Sequence, residues 1–208
     1  MTRIRISRQT RHPGVPSRAT LLRLLQRAAT LSGLDRQPAF AGAEVPVIVV
    51  GPRRIAALNR AFLGHAGPTD VIAFALPPPV SGLPPEAGPR CAGELYVNPA
   101  AALAEAPRHG QSAAAELTLY IVHGLLHLAG HDDLAPAPRR RMRAAERRVM
   151  AGLRRDFDLD ALWDWGGGEK QKAERRKQKA ESRKRKDGKP RPSALVGCRR
   201  SGSSNPEL

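Results

Sequence analysis

His123-Gly124-Leu125-Leu126-His127-Leu128-Ala129-Gly130-His131-Asp132-Asp133 reads as the end of a buried helix that turns back on itself. His123 and His127 are four residues apart. On an α-helix that spacing stacks them on one face, roughly 6 Å apart, so both imidazoles can reach one ion. Gly130 is the residue type that ends helices in the left-handed conformation. The chain can then return a third ligand to the same point. Asp133 is the expected one, completing the pattern His-x-x-x-His-x-x-Gly-x-x-Asp, and His131 is the competing third ligand. The plainer reading is two core histidines satisfied by hydrogen bonds. It has to explain two costly polar groups in an otherwise apolar helix. In the zinc-protease pattern a glutamate follows the first histidine and acts as the general base. Here that position is Gly124, so the ligand spacing is kept without the protease base.

Working outward, an apolar stretch over 112–130, opened by Ser112 as N-cap, is the expected central helix. Residues 138–153 form a last amphipathic helix opened by Pro138, with Met142, Ala145, Val149 and Met150 inward. Upstream, residues 3–7 alternate charged and apolar side chains like a half-exposed strand. Ser17 caps a helix to about residue 32, and residues 37–43 are a loop. Residues 45–50 and 71–76 read as buried strands. Pro52 opens a helix through about Phe62 with Ile55, Leu58 and Phe62 on its face. Residues 77–90 are a Pro/Gly loop, 93–98 a fourth strand and 99–106 a short helix. The order β-α-β-α-β-β-α-α-α predicts an α+β fold. It is a small mixed four-stranded sheet packed with about five helices, with the metal site at the end of the central helix.

The chain has 208 residues, with 35 Lys+Arg against 19 Asp+Glu, a net charge of +16. From residue 166 onward there are 14 basic and 5 acidic side chains and no apolar face. We expect a folded domain over 1–165 and a disordered basic tail over 166–208. Both parts are basic, which points to a polyanionic partner, most commonly nucleic acid. The tail residues placed against it are Lys170, Arg175, Arg176, Lys177, Arg183, Lys184, Arg185 and Lys186. Aromatic residues are only 4% of the chain, which argues against a base-stacking platform. Cys91 and Cys198 imply no disulfide framework, and no apolar leader or membrane-length run is present, so a cytoplasmic protein without membrane contact is expected.

The central stretch resembles the signature of the YbeY family, His-Gly-x-Leu-His-Leu-x-Gly-Tyr-Asp-His. Leu58-Asn59, Phe62 and the run Pro68-Thr69-Asp70-Val71-Ile72-Ala73-Phe74 are similar to a second family segment. Gly93–Asn98 fits the strand that follows it, and Met142, Glu146, Val149 and Met150 fit the last helix. The resemblance covers about residues 45–153. It implies a single-strand-specific, metal-dependent endoribonuclease acting in ribosomal RNA maturation, at the small-subunit RNA 3′ end, and in ribosome quality control. Its implied partners are ribosomal RNA and the ribosome or its proteins. Zinc, one per chain, is the default ion for two histidines plus a carboxylate, with manganese or nickel able to occupy such a site. Two positions depart from the family. Asp133 stands where the third histidine is usual, and Leu63 stands where an arginine thought to engage RNA is usual, with Arg60 close by. Asp70 is a candidate to orient a ligand histidine, and Glu94 a candidate base, each also readable as an ordinary turn or surface carboxylate. Other readings are a ribosome-associated RNA-binding factor with a structural metal and, disfavoured by Gly124, a metallopeptidase.

Overall fold

A computed structural model describes residues 1–11, 13–77 and 90–165. Its strands are β1 (Arg3–Arg8), β2 (Glu44–Val49), β3 (Val71–Ala75) and β4 (Gly93–Val97). Its helices are α1 (Arg18–Leu31), α2 (Pro52–Leu58), α3 (Pro99–Glu105), α4 (Ala113–Leu128) and α5 (Pro136–Asp156). The sheet order is β1-β2-β4-β3, with β1, β2 and β4 parallel and β3 antiparallel to β4. Element order, strand number and helix number agree with the sequence reading.

The sheet is covered on both faces, which is why β2 is apolar without alternation. Val45, Val47, Val49, Leu95 and Val97 pack with α1 and α4 in the main core. Ile48, Val50 and Ile72 pack on the other face with Ile55 and Leu58 of α2. β1 is an edge, so only Ile4 and Ile6 are buried and its arginines stay in water. Ser17 and Ser112 cap α1 and α4 by accepting from the backbone N–H of Thr20 and Ala115. Each cap contributes about 1 kcal/mol. α4 touches β3, β4, α1, α3 and α5, so its all-round apolar sequence is buried on nearly every side.

Four expectations are corrected. Residues 71–76 are not a fully buried strand: β3 is an edge, and only Ile72 is buried. The helix from Pro52 stops being α-helical at Leu58. Asn59–Leu63 continues as a π-turn, which rotates Phe62 out of the core to 66% exposure, edge-on to Phe74. α5 opens at Pro136, two residues before Pro138. Both prolines fit in the first turn, where backbone N–H groups have no helical partner. The loop over 37–43 contains part of a pair of short 3-10 turns, Leu34–Arg36 and Pro38–Phe40, which bury Phe40. Met1–Gly166 forms one compact unit. The tail from residue 166, with Lys170, Arg175, Arg176, Lys177, Arg183, Lys184, Arg185 and Lys186, lies outside the described residues.

Asp35 ties the chain start to α1. Its carboxylate accepts from the Thr2 backbone N–H (2.8 Å) and the Thr30 hydroxyl (2.7 Å). Partial burial opposes ionisation, but these hydrogen bonds and the terminal amine outweigh it and hold the carboxyl below its ordinary value of 3.8. A depressed folded-state value means stability that is present above the unfolded value and lost as pH falls through the folded one. Wild type should therefore exceed Asp35→Asn in urea midpoint at about pH 6, and the two should converge towards about pH 3. A gap independent of pH would show that charge is not the cause.

Candidate metal centre

Helix α4 ends in a closed turn. Gly130 has φ +90°, its N–H donates to the His127 carbonyl, and the His131 N–H donates to the Leu126 carbonyl. This pair of bonds is the Schellman arrangement, and it requires a residue that tolerates the left-handed region at position 130. The reversed chain brings Asp133 back over the helix end. Arg139 of α5 holds it there, its Nε donating to the Asp133 carbonyl at 2.9 Å.

Three side chains converge as a result. His123, His127 and Asp133 each offer a ligand atom within 4.8 Å of the others. The two Nε2 atoms are 3.0 Å apart, and Asp133 carboxylate oxygens lie 4.0 Å from His123 Nε2 and 3.8 Å from His127 Nε2. Tetrahedral zinc, with donors at about 2.05 Å, sets donor–donor separations of about 3.3 Å. The observed edges bracket that value.

The other ring nitrogens explain why the Nε2 atoms are available. His123 Nδ1 donates to Glu146 Oε1 of α5 at 2.7 Å, and His127 Nδ1 donates to the His131 carbonyl at 3.0 Å. With Nδ1 carrying the proton in each neutral ring, both Nε2 lone pairs point at one another. A proton or a metal ion between them satisfies both lone pairs, and with Asp133 as a third donor the set fits a divalent metal. Burial disfavours the protonated His123 ring. The hydrogen bond and charge of Glu146, then the charges of Asp133 and Asp70, outweigh burial and make the ring more basic than usual.

The remaining sequence candidates fall elsewhere. The His131 side chain is not part of the cluster; its backbone carbonyl is what holds His127. Burial and the charges of Arg148, His127 and Arg141 hold its ring below the ordinary value. Asp70 accepts from Thr69 Oγ1 and the Val71 N–H, both at 2.8 Å, as a turn residue does, and reaches His123 through its charge alone. Glu94 projects from the sheet face opposite α4. There Tyr96 donates to it at 2.8 Å, and burial with the Glu94 carboxylate pushes the Tyr96 phenol up to about 12. Arg60 is exposed in the π-turn, and Leu63 is 49% exposed.

Glu146 is the site residue that the sequence reading matched to a family helix without a role. A signal was present: it is the only acid between eight arginines of α5 until Asp156. As a positioning residue it fixes the tautomer and angle of His123. Glu146→Ala should weaken metal affinity about 10–100-fold in a chelator competition, with Glu146→Gln, which can still accept the bond, recovering part of it. Equal affinity in all three proteins would remove Glu146 from the site.

Among the described residues no helix is long and apolar enough to cross a membrane. The family model described as Endoribonuclease YbeY matches residues 7–154. An Anaeromyxobacter protein named Endoribonuclease YbeY is 40% identical over 135 residues, 65% of each chain. Relatives of the same name from Moorella thermoacetica and Rhodopirellula baltica are 35% and 38% identical over 138 residues each. The match covers 85% of the Moorella protein but 63% of the Rhodopirellula one, so it spans just under two thirds of two of these three relatives. A solution structure of a Thermotoga maritima protein is 24% identical, with a TM-score of 0.43 over 75% of this chain and 93% of that one. With its signature helix, its closed glycine turn and a family match over most of the folded unit, this chain belongs to the YbeY family.

Proposed function

We propose that this chain is a metal-dependent endoribonuclease of single-stranded RNA. Its setting is cytoplasmic maturation of ribosomal RNA at the small-subunit 3′ end and quality control of ribosomes. The observation that carries this reading is the convergence of His123, His127 and Asp133, with both histidines engaged through Nδ1 and turned toward one another through Nε2. His123, His127 and Asp133 would hold one zinc ion, with manganese or nickel as substitutes. A bound ion would supply Lewis acidity toward a phosphoryl oxygen and toward water. Glu146 orients His123, the His131 carbonyl orients His127, and Arg139 steadies the Asp133 loop. The folded unit over 1–165 would carry the chemistry, and the tail over 166–208 would add non-specific affinity for RNA.

Leu63 in the family's arginine position favours a second reading, an RNA-binding factor of the ribosome whose metal is structural. Cleavage assays separate the two. Metal-loaded protein should cut a single-stranded ribosomal RNA fragment and leave the duplex form intact, and chelator or His123→Ala should abolish the cut. RNA binding without cleavage would favour the binding factor. Cleavage that survives chelation and His123→Ala would overturn the metal-dependent mechanism.

A further inference from the structure

Beside the metal cluster, two cavities share Ala129 and His131 as a common wall. The larger, about 680 Å³, lies between the end of α1, the turn after it and α5. Arg27, Arg36 and Arg148 line it, with Ser32 at its wall. The smaller, about 370 Å³, is bordered by Arg141 and Asp132. Arg27 is ion-paired with Asp156 at 3.1 Å. Arg36, Arg141 and Arg148 have no carboxylate at ion-pair distance among the described residues. Ser32 is 4% exposed, and its buried Oγ lacks a hydrogen-bond partner. Unpaired arginines around a concave wall are costly in mutual repulsion and fit a ligand with regularly spaced negative charge. Both cavities border His131, whose carbonyl holds His127, so the groove runs beside the turn that carries the metal cluster.

We propose that this groove between α1 and α5 binds the phosphate backbone of the RNA on one side of the cleavage point, with Arg36 and Arg148 each holding a phosphate. This rests on the RNA reading above. It assigns the binding track to the folded unit and does not depend on the tail. Recognition is of the backbone and not of bases, consistent with the scarcity of aromatic side chains.

The test is binding of a labelled single-stranded RNA oligonucleotide to the metal-loaded full chain across a salt series. The proteins are wild type, Arg36→Ala/Arg148→Ala, and Arg53→Ala/Arg54→Ala, which removes two exposed arginines from α2 on the other face of the sheet. The groove variant should bind at least about tenfold more weakly. Its plot of log affinity against log salt should be shallower by about 1.4, two contacts at about 0.7 each. The α2 variant should change much less. Equal effects of the two pairs would reduce the matter to net charge and overturn the groove. Wild type that neither binds nor cuts RNA would instead overturn the functional reading itself. Single Arg36→Gln and Arg148→Gln proteins, each checked for metal content and thermal midpoint, should give about half the slope change. No change in either would also overturn the groove.

Discussion

Asp133→Ala protein should purify with at most about a tenth of the metal bound by wild type, and His131→Ala should keep nearly all of it. Removing a residue that only orients a ligand already costs about 10–100-fold in affinity, so removing a ligand costs at least as much. Among the described residues, Asp133 is the carboxylate that the Gly130 turn returns to the two Nε2 atoms. His131 serves through its backbone carbonyl, which an alanine retains. His123→Ala and His127→Ala should lose metal as Asp133→Ala does. Elemental analysis against protein concentration, beside a thermal midpoint that verifies folding, is the measurement. Metal that follows the His131 side chain and ignores Asp133 would mean that the turn closes differently around the ion.

The second large effect concerns Gly124, the position where a zinc protease carries its base. Gly124→Glu should give no stable folded protein. A Cβ at Gly124 would lie 1.9 Å from a Leu95 methyl and 3.3 Å from both Leu95 Cγ and Val71 Cγ2. Leu95 is fully buried, so its displacement has no solvent to go to. Gly124→Ala alone should cost about 1–3 kcal/mol of overpacking, read as a lowered urea midpoint. The glutamate adds the burial of a charge without a partner. The glycine therefore sets the approach of α4 to β4, because position 124 lies against the sheet with no room for a side chain. A folded, metal-loaded Gly124→Glu protein would sink this account.

Much of the site was legible because its parts are local. The four-residue spacing of His123 and His127 becomes a shared face through helix geometry alone. Gly130 and the serines at positions 17 and 112 act within a turn of themselves, and their roles followed from residue type. The strand and helix order was readable for the same reason. Where the reading failed, the cause was distant in the chain. Nothing near β3 said that it pairs only with β4 and so stands at an edge, half-covered. Nothing near Glu94 said which sheet face carries the metal helix. Nothing near Phe62 said that the helix would continue as a π-turn and set its ring edge-on to Phe74 of β3. Glu146 lies 23 residues from His123 and reaches it at 2.7 Å because α5 packs along α4. Local backbone preferences thus set the ligand spacing and the turn. Which nitrogen each histidine presents, what steadies it and which arginines border the neighbouring groove depend on packing between segments far apart in the chain.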